Sequence, residues 1–252
     1  MFKCINYFLV FFSLILVISA CKEEEIEDEL PVTDEIRINI EPLYNGEHID
    51  FEKIFETQEG YRIRYTKINI ITTELRNSSN ELLAPSAVYK MEDHPTLLFQ
   101  GEGDYTLFDD LGGYVGVPED QNHLDPSARP LSDPLNIMNT GDMHWGWDPG
   151  YIFLMIEGRA DTTATGAGNL DRVFLYHVGM NELLRSFFLD NLNWVKVNNH
   201  LHETTIQIDM EKVFNHIHQV NIKLEPTSHT DPGQEPLSTK IIENFVAAIR
   251  AK

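Results

Sequence analysis

From Ile36 onward, apolar and polar residues alternate with a period of two along much of the chain. Ile36, Ile38 and Ile40 alternate with Arg37 and Asn39, and the stretch Tyr61 to Thr73 mixes β-branched and aromatic residues with polar ones in the same rhythm. Successive side chains of a strand point to opposite faces, so this period predicts strands with one face buried. Further short runs follow at Leu111 to Val117, Tyr151 to Glu157, Val173 to Val178, Thr204 to Asp209 and Val220 to Leu224, each bounded by Gly, Pro, Asn or Asp. Many short strands with long polar connections predict an all-β fold, an antiparallel β-sandwich with long loops.

The rhythm changes in three places. Asp209 to Asn215 reads as a short helical turn capped by Asp209. Ser238 to Arg250 reads as a C-terminal helix, with Ser238 as its cap and Ile241, Ile242, Phe245 and Ile249 on one face. That helix is expected to pack on the sandwich through Ile241, Phe245 and Ile249. Between Val117 and Gly150 the strand signals give way to Pro118, Pro126, Pro130, Pro134 and Pro149, with aromatic residues and histidines interspersed. A long irregular segment within one domain is a common place for function.

The N-terminal residues follow a different logic. An almost unbroken apolar run from Phe8 to Ile18, shorter than a membrane span, ends in Ser19-Ala20-Cys21. This is the pattern of a lipoprotein signal peptide over residues 1–20, with Cys21 as the acylated N-terminus of the mature chain. Residues 21–35 carry dense like charge without apolar periodicity and read as an acidic tether. Residues 36–252 form the domain. The expected setting is the bacterial cell envelope, as an outer-membrane lipoprotein held to the membrane by its lipid anchor. The acidic run after Cys21 resembles the surface-export signal of Bacteroidetes-type lipoproteins, which implies surface exposure.

Charge and cysteine content narrow the chemistry. The chain carries a formal charge of −21, and loss of Lys3 with the leader makes it −22. No basic stripe is present to displace counterions from phosphates, which excludes nucleic acid as a partner. The two cysteines are Cys4, in the leader, and Cys21. The mature domain therefore has no thiol for a disulfide, a thiolate site or a nucleophile. A metal site must draw on His, Met, carboxylates or backbone oxygens. Enzyme signatures are mostly missing: His202-Glu203 lacks a second histidine at zinc-protease spacing and no Gly-x-Ser-x-Gly elbow occurs, while 40 acidic residues leave room for a glycosidase carboxylate pair. The pairs His200/His202 and His216/His218 would each share a strand face, and solvated side chains are the plain expectation for both.

Three separated motifs carry a resemblance. They are Asn122-His123 with Asp125-Pro126; Met143-His-Trp-Gly-Trp-Asp-Pro-Gly-Tyr-Ile-Phe, holding Trp145 and Trp147; and Tyr176-His177-Val-Gly179. In their order and spacing the chain resembles the MbnP-like family of bacterial copper-binding envelope proteins, over roughly Ile36 to Ile249. The resemblance implies a β-sandwich, a non-catalytic role in copper handling or scavenging, and a copper ion held by His123 and His177. It also implies that Trp145 or Trp147 is a position a di-haem tryptophan-modifying partner would oxidise. His144, where some relatives carry an aromatic residue, is either a further candidate ligand or a local substitution, Met143 is a candidate neighbour of the ion, and His229 a weaker candidate. Met180, beside His177, could add a thioether. Neutral imidazole suits copper, and Cu(I) accepts two or three such donors. The competing expectation is a surface module for glycan or protein, using Trp145, Trp147, Tyr151 and Tyr114 as an exposed aromatic platform.

Overall fold

The computed structural model describes residues 34–146, 149–163 and 167–252. The leader, Cys21, the tether up to residue 33 and Trp147 lie outside the described residues. Among the described residues fifteen strands follow in chain order: β1 (Glu35–Tyr44), β2 (Glu47–His48), β3 (Phe55–Glu56), β4 (Arg62–Arg76), β5 (Leu82–Lys90), β6 (Leu97–Glu102), β7 (Leu111–Val115), β8 (His144–Gly146), β9 (Gly150–Asp161), β10 (Arg172–Gly179), β11 (Arg185–Leu189), β12 (Val195–Lys196), β13 (Leu201–Asp209), β14 (Thr227–Ser228) and β15 (Ile249–Ala251). The helices are α1 (Glu119–Asn122), α2 (Ile137–Thr140) and α3 (Glu235–Ala247).

The strands form two sheets. The smaller has the order β12-β13-β1-β2, with β15 on β13 and β6 on β1. The larger runs β11-β7-β4-β9-β10-β14, with β3 and β5 on β4 and β8 on β9. The alternation seen in the sequence decides which side chains meet between them. Ile36, Ile38 and Ile40 of the small sheet join Ile63, Tyr65, Ile68, Leu154, Ile156, Phe174, Tyr176 and Val178 of the large one in a single buried core. Fully burying each such side chain contributes about 1.5–3 kcal/mol. The all-β sandwich is therefore as expected, but its sheets are mixed. β1 pairs β13 in parallel from Glu35↔Leu201 to Leu43↔Asp209, and β10 pairs β14 in parallel.

Several local expectations need correction. The C-terminal helix starts earlier than Ser238, at Glu235, with Pro236 in its first turn, where a missing N–H costs nothing. Ser238 is instead fully buried in a cluster of hydroxyls. Ile241, Ile242 and Phe245 do pack into the core. Ile249 does so from β15, not from the helix, because the chain leaves α3 to pair with Ile206–Ile208 of β13. Val220 and Ile222 are buried as strand alternation requires, yet the segment forms turns, with the Leu224 N–H bonded to the Asn221 carbonyl. Residues 210–214 form hydrogen-bonded turns and no helix. β5, β6 and β11 were not anticipated. β5 contains Pro85, which an edge strand tolerates because its N–H is not needed there.

The proline-rich segment has a structural task. β9 is apolar on both faces, since Leu154 and Ile156 enter the main core while Tyr151, Phe153 and Met155 point to the other side. That outer face is covered by Val117, Leu135 and Met143, forming a second, smaller core with Ile71 and Ile152. The parts of this segment that supply Val117, Leu135 and Met143 close the second core, and Trp145 packs against it.

Candidate metal centre

His177 sits on β10 with its side chain on the outer face of the large sheet, since Tyr176 and Val178 on either side enter the main core. It stands opposite Met155 of β9, and Glu157 lies two residues further along that strand, opposite Leu175. Diagonal neighbours of this kind are within reach of long side chains. Glu157 Oε1 lies 2.9 Å from His177 Nε2. The carboxylate accepts, so Nε2 carries the proton and Nδ1 keeps the lone pair in the neutral ring. Burial pushes the His177 imidazole below its ordinary value, against the upward pull of Glu157. The ring is thus a neutral donor whose orientation and tautomer are set by a carboxylate, the arrangement in which metal-bound histidines are usually found.

Two residues on, Gly179 lets an indole lie on the strand. A Cβ there would fall 2.6 Å from Trp145 Cζ3 and 2.5 Å from the Tyr151 carbonyl oxygen. Trp145 therefore packs directly against bare backbone. Beyond it opens a pocket of about 380 Å³ lined by Trp145, Pro149, Met180, His229, Thr230 and Asp231, among others. The His229 ring stands edge-on to His177, with centroids 5.0 Å apart and planes at 88°.

His123 reaches the same neighbourhood by another route. Gly150, at φ +77°, leaves room that a Cβ would contest with Asn122 Oδ1 at 2.5 Å. Into that space Asn122 Oδ1 accepts the Tyr151 N–H at 2.9 Å. A backbone N–H only donates, so the order of the remaining bonds is settled. Asn122 Nδ2 donates to Asn181 Oδ1 at 2.9 Å, and Asn181 Nδ2 donates to His123 Nε2 at 3.1 Å. The lone pair of exposed His123 is therefore occupied by an amide, and an ion would have to displace Asn181 to use it. Asn181 directly follows Met180, a residue of the pocket wall.

The other candidates separate. Neighbouring residues on β8 point to opposite faces, so while Trp145 turns to Gly179, His144 turns to the Tyr151 ring, edge-on at 4.6 Å. Its Nδ1 accepts the Gly146 N–H at 3.0 Å, and its buried Nε2 has no partner. Burial lowers its affinity for a proton, with Asp125 pulling the other way. Met143 is fully buried in the second core and fills space there. His200 faces Asp34 at 3.9 Å, whereas His202 stacks on Tyr105 at 3.8 Å. His218 Nε2 bonds Glu243 at 2.7 Å, and His216 is exposed. Tyr151 is fully buried, so an open platform that includes it does not exist.

Among the described residues, no three His, Cys, Asp or Glu side chains are grouped to hold a metal ion. What the fold does place together is a pocket lined by an imidazole, a thioether and an indole, with the His177 ring, held by Glu157, edge-on to that imidazole. Glu157 and Asn181 were not singled out from the sequence, because their roles depend on the β9–β10 register and on the turn after β10.

Among curated proteins none matches the chain. Among solved structures, MbnP from Methylosinus trichosporium is similar, at 13% identity and a TM-score of 0.46, covering 72% of this chain and 78% of that one. The MbnP family profile matches residues 33–231, nearly the whole sandwich and all three motifs that carry the resemblance, so the chain belongs to the MbnP family.

Proposed function

We propose that this protein is a non-catalytic, lipid-anchored envelope protein that binds a copper ion through histidines grouped around His177. The observation that carries the reading is the His177 imidazole itself. It is largely buried, favours the neutral form, and is held by Glu157 with one nitrogen left as a donor, beside a pocket that also offers His229 and Met180. Imidazole and thioether donors with no thiolate suit copper among the first-row metals. Family membership supports the same reading, as do the motifs around His123, Trp145 and His177. His123 joins the ion only by displacing the Asn181 amide. Oxidation of Trp145 or Trp147 by a di-haem partner fits the position of Trp145, whose ring lines the open pocket.

The test is copper uptake by the full chain in both oxidation states, on protein from the native envelope as well as recombinant material. Mass spectrometry would follow tryptophan oxidation in parallel. His177→Ala is expected to abolish tight binding, and the His123→Ala/His177→Ala double variant likewise, while His200→Ala/His202→Ala leaves binding unchanged. Absence of copper uptake by wild-type protein from both sources would refute the proposal.

A further inference from the structure

Two free sheet edges come together on one side of the sandwich. Among the described residues β5 is bonded to β4 alone and β6 to β1 alone. A cavity of about 760 Å³ lies between these edges and residues 131–139 of the proline-rich segment. Small-molecule sites commonly span about 300–1,000 Å³, with apolar walls and a few placed polar groups. Here Val88, Leu97 and Phe99 line the strand side, and Leu131 and Met138 the other. Leu131 and Met138 are each 75% exposed. Single exposed apolar residues are ordinary on a protein surface, whereas a pair sharing one cavity wall marks a place for a ligand.

The chain that carries this pair is fixed from beneath. Leu135 is buried in the second core, and the Tyr151 hydroxyl donates to its carbonyl at 2.6 Å. Asn136 is buried as well. Its Oδ1 accepts the Met138 N–H at 2.8 Å, and its Nδ2 donates to the Arg129 carbonyl at 2.6 Å. Asn139 Nδ2 donates to the carbonyls of Leu131 and Asp133, at 2.9 and 2.7 Å. Leu135 thus serves the core, while these turns hold Leu131 and Met138 out in the cavity. The wall is preformed, and the unbranched Met138 side chain can adapt to what lies against it.

The polar end of the cavity is Lys90, the last residue of β5. Its side chain is only 16% exposed, and its ion pair with Asp93 spans 3.8 Å, longer than a hydrogen bond. Among the described residues Nζ makes no hydrogen bond. Gly141, at φ +61°, makes room for the ammonium, since a Cβ there would lie 3.2 Å from Nζ. Nearby cations are better matched: Lys67 is bonded to Asp142, and Arg129 to Asp133 at 3.0 Å and to Gln121 at 3.1 Å. A chain with 40 acidic and 19 basic residues therefore leaves one largely buried ammonium without a close anion. A charge withdrawn from water and loosely paired is costly, and an incoming anion would relieve that cost.

We propose that this cavity binds a small amphipathic carboxylate, with its head on Lys90 and its apolar body along Leu131, Met138, Leu97 and Phe99. A carboxylate in the cavity would bond Nζ at about 2.7–2.9 Å, closer than Asp93 does. The apolar body would cover side chains that the fold leaves in water. A bare anion gains only the first contact and a neutral alcohol only the second, so the cavity selects molecules that carry both. A cationic head meets Lys90 and is disfavoured. The cavity shares no lining residue with the pocket beside Trp145, and the proposal stands apart from the copper reading.

The experiment is a calorimetric titration with monomeric decanoate, using the full chain with Cys21→Ser so that no acyl chain of its own competes. Decanol, decylammonium and acetate are the controls. The parent protein is expected to bind decanoate at one site, about tenfold more tightly than decanol. Decylammonium should bind more weakly than decanol, and acetate should not bind at the same concentrations. Lys90→Met should remove the preference for decanoate over decanol. Leu131→Ser/Met138→Ser, at exposed positions, should weaken both ligands by about tenfold. The Met138 methyl resonance should shift on addition of decanoate. Circular dichroism checks that each variant is folded; if Lys90→Met is not, the Met138 shift and the double variant decide. No decanoate binding by the parent protein overturns the proposal, as does equal affinity in folded Lys90→Met, an unmoved Met138 methyl, or full affinity in the double variant. Binding to phosphatidylglycerol vesicles without binding of monomeric decanoate also overturns it and assigns the surface to a membrane.

Discussion

Replacing Gly179 by alanine tests the packing that creates the pocket. Its φ is not in the left-handed region, so alanine is allowed by the backbone and only the surroundings decide the outcome. The new methyl would lie 2.5 Å from the Tyr151 carbonyl oxygen and 2.6 Å from Trp145 Cζ3. The indole can tilt away. The carbonyl belongs to β9, which is paired on both sides, and moving it disturbs the β9–β10 register at Gly179↔Ile152. Overpacking of this size costs about 1–3 kcal/mol, and a backbone contact places it near the top of that range. Reduced freedom of the unfolded chain returns about 0.4–1 kcal/mol. The net loss is about 2 kcal/mol, a fall in Tm of about 4–8 °C for a domain of this size. Thermal and urea unfolding followed by far-ultraviolet circular dichroism would measure it. In a Trp145→Ala background the cost should fall without vanishing, because the Tyr151 oxygen remains. A Gly179→Ala variant melting within about 1 °C of wild type would refute the reasoning. An identical cost with and without Trp145 would show that the indole does not lie against the strand.

Two other predictions concern proton binding and anchoring. Burial lowers the His144 and His177 titrations, so below about pH 6.5 the unfolded chain takes up protons that the folded chain does not, and stability falls as the pH drops from there toward the folded values. His177→Gln should flatten the dependence of the urea midpoint on pH between about 7 and 5; equal slopes in variant and wild type would contradict the burial argument. Cys21→Ser should release the protein from the membrane fraction with loss of the acyl chains, as seen by fractionation and intact mass, because stable anchoring needs more than one chain. Retention at unchanged mass would refute the lipoprotein assignment.

Much of the fold is local information. The alternation of Ile36, Ile38 and Ile40, and of Ile63 and Tyr65, states which side of each strand is apolar, and burial follows it in β1 up to Ile40 and in β4 until the irregularity between Tyr65 and Lys67 shifts the pattern. The helical spacing of Ile241, Ile242 and Phe245 likewise identified the face that packs. The absence of a thiol after Cys21, and the histidines at 123, 144, 177 and 229, are also legible without a structure. Register and long-range pairing are not local. The parallel pairing of β1 with β13 joins residues far apart in sequence, and only the shared core selects it. The move of Ile249 from helix to strand depends on a vacant edge of β13. The same holds at the site. His177 acquires Glu157 through a diagonal across two strands and His229 through a loop stapled by Ser238, while His123 loses its lone pair to Asn181. Residue type and spacing determined which groups could serve as donors. Tertiary structure decided which nitrogen lone pairs remain free and which of them meet, because hydrogen-bond order and strand register are properties of the assembled sheets.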